Sequence, residues 1–106
     1  MSATVSFIVH LPARPERREE LESGLVKVLD QMAGEPDFVR TDVHRLQDDP
    51  DTLVLYETWA CSREYFMSHH LGRAYRRDYE AVLPGLLKSP RTIEFLEPVR
   101  GYALAR

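Results

Sequence analysis

The chain has 106 residues, 43% of them hydrophobic and 29% charged, with a formal net charge of −3. That length suits one domain, residues 1–106, built on a single core. The mild acidity and the lack of any basic tract argue against nucleic acid and anionic membranes as partners. One cysteine, Cys61, excludes an internal disulfide framework and a CxxC metal knuckle. No stretch is long and apolar enough to span a bilayer, and a cytoplasmic protein is expected.

Val5 to Leu11 alternates, with Val5, Phe7, Val9 and Leu11 on one side and Ser6, Ile8 and His10 on the other, which is the period of a strand. Pro12 to Pro15 breaks that pattern. A helix is predicted from Glu16 to Ala33, with Leu21, Leu25, Val28, Leu29 and Met32 as its apolar stripe and the mixed charges of Glu16 to Glu22 in solvent. Gly34, suited to the C′ position, and Pro36 stop it. Phe38 to Leu46 and Leu53 to Trp59 read as a hairpin around an Asp-rich turn centred on Pro50.

Ser62 suits the cap of a short helix from Arg63 to His70. After Gly72 a second helical segment carries Tyr75, Tyr79, Val82, Leu83 and Leu86 on one stripe, and Pro84-Gly85 weakens its end. Thr92 to Leu96 is the last strand and Val99 to Arg106 a tail. The order β-α-β-β-α-β predicts an α+β, ferredoxin-like fold: a four-stranded antiparallel sheet with helices on one face. The third strand is apolar on both sides, with Leu53, Leu55 and Trp59 on one and Val54 and Tyr56 on the other. Strands about 4.8 Å apart and about 20 Å long give a face on the order of 400 Å², and the helices cover only one. A second copy over the other face, hence a homodimer, is the expectation.

The stretch GEPDFVRTDVHRLQDDPDTLVLYETWACSREYFMSHH, residues 34–70, resembles the antibiotic biosynthesis monooxygenase domain family. It has that family's small-residue–Pro turn, a strand, a D-P turn, a strand ending in Y-E-x-W, and a helix carrying histidine. The resemblance implies a dimeric α+β barrel. Several activities share this fold: cofactor-free oxygenases of polyketide anthrones, quinol monooxygenases, heme-degrading enzymes and isomerases of signal molecules. The anthrone oxygenases carry an asparagine where this chain has Leu55, and the heme degraders one where it has Ser6.

By this resemblance Trp59 is the pocket tryptophan and His69 the catalytic base, with His70 the alternative if the helix register differs by one. Tyr65, Phe66, Leu55, Glu57 and His70 are the expected substrate contacts. A histidine can exchange protons near neutral pH, and aromatic walls hold a flat ring. Each also has a plainer reading: Trp59 as core packing, Glu57 as a structural hydrogen-bond acceptor, the histidines as rim residues, and Cys61 as an inert thiol. With no GxGxxG, P-loop or HExxH motif, no cofactor and no metal are expected. The expected activity is a quinol-monooxygenase-like oxidation of a small aromatic substrate by O₂. A non-catalytic dimeric binder of small molecules is the alternative, alongside a heme-degrading or isomerase role. The discriminating geometry is whether Trp59 and His69 face one enclosed cavity of about 300 Å³ or more.

Overall fold

Strict alternation makes β1 (Val5–Pro12), whose buried and half-buried residues take turns along its whole length. The structure is a computed structural model in which residues 3–103 are described. Pro15 opens a 3₁₀ turn (Pro15–Arg17) that leads into α1 (Arg18–Met32), which buries Leu21, Leu25, Val28 and Met32. Strands β2 (Phe38–Arg45) and β3 (Thr52–Trp59) form the predicted hairpin. A single α turn, α2 (Arg63–Tyr65), runs straight into a π turn (Phe66–His70). A 3₁₀ turn (Ala74–Arg76) then starts α3 (Arg77–Leu86), and β4 (Thr92–Leu96) completes the sheet.

The sheet order is β2-β3-β1-β4, antiparallel throughout, which is the ferredoxin-like arrangement the element order predicts. Cross-strand register sets two rows against the helices. Thr41, Glu57, Phe7 and Phe95 form one, and Val43, Leu55, Val9 and Ile93 the next. The core lies between these rows and the inner faces of α1, α3 and the π turn, with Trp59, Phe7 and Phe66 its largest members. No helix among the described residues is long and apolar enough to cross a membrane.

Three local expectations change. Gly34 does not take a left-handed C′ conformation, because no glycine among the described residues has positive φ. Instead α1 closes on tightening turns, Gly34 N–H to Gln31 O at 3.1 Å and Glu35 N–H to Met32 O at 2.9 Å. Val82 leaves the predicted stripe and is exposed, since the buried face of α3 runs through Tyr79, Leu83 and Leu86. The uncovered sheet face is also more polar than β3 alone suggests. Register places Asp42, Tyr56, Ile8 and Glu94 in one row, flanked by His44, Val54, His10 and Thr92 on one side and by Arg40, Thr58, Ser6 and Leu96 on the other. Its apolar centre is therefore Ile8, Val54 and Tyr56, inside a polar frame that includes a Ser6–Thr58 hydroxyl pair 2.9 Å apart. Of the tail, residues 104–106 lie outside the described residues.

Candidate functional site

Glu57 is the anomaly of the core. The alternation of β3 turns it toward the helices, and register seats it beside Phe7. Only 6% of it is exposed. Burial raises its carboxyl above the ordinary range, and the Trp59 N–H and the charges of Arg76 and Arg91 pull it back only in part. Trp59, two residues on and on the same face, donates from Nε1 to Glu57 Oε1 at 3.1 Å. The indole is wholly buried between Phe38, Phe66 and His70.

Glu57 borders an internal void of about 20 Å³ between sheet and helices, shared with Leu55, Phe66, Tyr79, Arg76 and Arg91. That volume is one water, not an aromatic ring. The polar side is built from α3, its 3₁₀ approach and the residue just before β4. Glu80 Oε2 accepts from Arg76 Nη2 at 3.1 Å and from Arg91 Nη1 at 2.9 Å. Burial works to raise the Glu80 carboxyl, but the two guanidiniums outweigh it and hold it below the usual range. Arg76 is buried and its Nε has no protein partner. Burial pushes the Tyr79 phenol up to about 12, so it stays an O–H donor.

The structure separates the two histidines. Ser62 Oγ caps the segment by accepting from Tyr65 N–H at 3.0 Å, as its position predicts. The backbone then widens, with Leu71 N–H bonding Phe66 O at 3.2 Å in the i→i+5 pattern of a π turn. More residues per turn bring His70 inward below Phe66 and turn His69 outward. His70 is 2% exposed and packs on Trp59 with ring centroids 4.4 Å apart. His69 is half-buried and stacks on exposed Tyr65 at 4.8 Å. Trp59 and His69 thus do not face one enclosed cavity in this chain, and neither borders the void. Leu55, Glu57 and Phe66 do border it.

Sequence reasoning missed Arg76, Arg91 and Tyr79, which sit near one another only after α3 and β4 pack. It also missed the carboxylates around His70. Asp37 Oδ2 lies 3.0 Å from His70 Nε2, and Glu35 Oε2 lies 3.4 Å from Nδ1. Cys61 stands in the same corner, its thiol raised by burial and by the Asp37 carboxylate.

Among curated proteins none matches the chain. Solved structures do. Rv0793 from Mycobacterium tuberculosis superposes with a TM-score of 0.82 at 23% identity, covering 95% of this chain and all of that one. A candidate antibiotic biosynthesis monooxygenase from Caulobacter crescentus reaches 0.82 at 19% identity, covering 93% of this chain and 92% of its own. One from Nitrosomonas europaea reaches 0.80 at 20%, covering 93% of both. At these identities the likeness establishes the fold. The sequence profile named Antibiotic biosynthesis monooxygenase matches residues 4–81, from the first strand into α3. By that match the chain belongs to the antibiotic biosynthesis monooxygenase family.

Proposed function

We propose that this protein is a monooxygenase that oxidises a small electron-rich aromatic substrate, a hydroquinone or an anthrone, directly with O₂. The void beside Glu57 is the closed form of its pocket. The observation that carries this reading is a buried carboxylate held by an indole N–H, set in an apolar wall with Leu55 and Phe66, and faced by buried Arg76. Family membership supports the reaction class. The segment from Phe66 to Arg76 is the movable wall, because it is assembled from a π turn and a 3₁₀ turn, not a continuous helix.

Such a substrate must itself supply the electrons. Glu57 takes the proton that makes it an anion, its raised pKa bringing it nearer the substrate's acidity. Arg76 and the Tyr79 hydroxyl stabilise the oxyanion. The anion passes one electron to O₂, and the two radicals combine to form a C–O bond. Cleavage of the O–O bond, with protonated Glu57 returning its proton, leaves one oxygen atom on the substrate and releases the other in water. Atoms balance: an anthrone CH₂ becomes C=O, and both of its hydrogens leave in that water. Trp59 acts through Glu57, whose carboxylate it orients. A base role for His69 needs a substrate bound outside, over Tyr65.

A second copy packed on the Ile8, Val54 and Tyr56 face completes the assembly in this reading, and Tyr56 is 46% exposed there. A single monomeric species in sedimentation at micromolar concentration would remove the dimer. For the reaction, oxygen uptake is measured with reduced naphthoquinones and anthrones. Turnover above the uncatalysed rate is expected, with a loss of about 10²–10⁴-fold in Glu57→Gln. Loss in His69→Ala with Glu57→Gln active would move the base to the outer face. No turnover on any substrate, with binding retained, would leave a non-catalytic binder.

A further inference from the structure

The fold brings the chain's only cysteine, the buried histidine and an aspartate to one corner of the sheet, and the geometry points to a site there for a borderline divalent cation of the Zn²⁺ class. Cys61 Sγ, a His70 ring nitrogen and an Asp37 carboxylate oxygen lie with no pair more than 4.8 Å apart. The three come from separate elements: the loop before β2, the residues just past β3, and the end of the π turn. Nothing in their spacing along the chain announces them. The backbone fixes the corner, because Ala60 N–H donates to Asp37 O at 2.7 Å and Phe38 pairs with Trp59.

Thiolate, imidazole and carboxylate together suit Zn²⁺ and Co²⁺, whereas Mg²⁺ and Ca²⁺ prefer oxygen alone. Tetrahedral bonds of about 2.0–2.3 Å put ligand atoms roughly 3.3–3.6 Å apart. His70 Nε2 and Asp37 Oδ2 are already at 3.0 Å, so a Cys61 shift of about 1 Å closes the set. With three protein ligands the fourth position falls to water, on the side where Asp37 is 31% exposed.

The surroundings of His70 give an independent indication. Metal-bound histidines commonly present their other ring N–H to a carboxylate, which sets the tautomer. Here Nδ1, buried and with no hydrogen-bond partner of good geometry, faces Glu35 Oε2 at 3.4 Å. Glu35 is itself positioned by Arg73 Nε at 2.9 Å and Tyr75 OH at 3.3 Å. The π turn that swings His70 inward is what creates this donor. On binding, the cation displaces the thiol proton to solvent, and the imidazole gives up the Nε2 proton that faces Asp37 and carries its proton on Nδ1, toward Glu35. The metal then ties the β2–β3 hairpin to the helical segment behind Trp59. None of the three ligands borders the void at Glu57, although His70 stands on the segment proposed to move when that void opens.

The test is titration of the EDTA-dialysed full chain with Co²⁺, followed by Zn²⁺ in competition. One Co²⁺ per chain is expected, with a thiolate-to-metal charge-transfer band and the intense visible bands of tetrahedral cobalt, all erased by Zn²⁺. Cys61→Ser should lose the charge-transfer band, and Asp37→Asn should bind more weakly. Glu35→Gln should weaken binding roughly 10–100-fold while keeping the band, and His44→Gln, on the open sheet face, should change nothing. His70→Gln threatens the fold, so its circular dichroism is recorded alongside. Absence of the charge-transfer band in the wild-type chain, or its persistence in Cys61→Ser, would overturn the site. So would full retention of affinity in both Asp37→Asn and Glu35→Gln.

Discussion

Replacing Trp59 with phenylalanine isolates the contact on which the proposed chemistry depends. The smaller ring keeps its packing against Phe38 and Phe66 but loses the 3.1 Å donation to Glu57 Oε1. Stranding a buried charged acceptor costs about 1–3 kcal/mol. A residual void of a few tens of Å³, at about 24 cal/mol per Å³, adds about 1 kcal/mol. Trp59→Phe should therefore lose about 2–4 kcal/mol, or roughly 8–16 °C in Tm at about 4 °C per kcal/mol. Combining it with Glu57→Met in a double-mutant cycle cancels the void and leaves the hydrogen bond, an expected coupling of about 1–3 kcal/mol. Urea unfolding is followed by far-UV circular dichroism, because Trp59 is the sole tryptophan and its fluorescence disappears in the variant. A coupling below about 0.5 kcal/mol would mean that the indole packs beside Glu57 without holding it.

Glu57→Gln should raise Tm near neutral pH by about 2–8 °C, the scale of a stabilising change of about 0.5–2 kcal/mol, while slowing oxygen uptake about 10²–10⁴-fold. The sign follows from burial: the folded carboxyl keeps its proton to higher pH than the unfolded one, whose ordinary value is 4.5. Wild-type stability from this group is then full below that value and declines as pH rises through the folded pKa, so the gain in Glu57→Gln should shrink toward acid. Gly24→Ala should stabilise by about 0.5–1 kcal/mol, since the new methyl meets Tyr79 Cδ1 at an ordinary 3.9 Å inside α1. Destabilisation there would show that α1 and α3 pack more closely than described. Ser62→Ala should cost about 1 kcal/mol and speed amide exchange in the π turn, and unchanged exchange would detach the cap from that turn.

How far the sequence could be read depended on whether period or packing set each position. Alternation in β1 and β3 placed Val5, Phe7, Val9 and Leu11 inward, and put Glu57 and Trp59 on one face. Both were legible because a strand has only two sides. Glu57 is a structural hydrogen-bond acceptor, as its plainer reading has it, but its donor is Trp59 on the same strand and not a neighbouring element. The helix histidines were not legible. An α register leaves 69 and 70 both near the inner face below Phe66, and only the i→i+5 bond at Leu71 selects His70. Tertiary packing likewise made Arg76 a buried residue, which no local pattern marks. The corner of Asp37, Cys61 and His70 joins residues as far apart as 33 positions, beyond the reach of any local motif. The apolar side of β3 suggests an apolar open face, whereas its polar frame draws on all four strands, and only register brings those residues into one surface.

The proposed chemistry requires the space beside Glu57 to open and take an aromatic ring. A crystal structure with an oxidised naphthoquinone, which occupies the pocket without turning over, tests it most directly. The ring is expected between Leu55 and Phe66, with a quinone oxygen within hydrogen-bond reach of Glu57 or Arg76 and the segment from Phe66 to Arg76 displaced outward. A ring lying instead on Tyr65 and His69, with the void beside Glu57 unchanged, would contradict it.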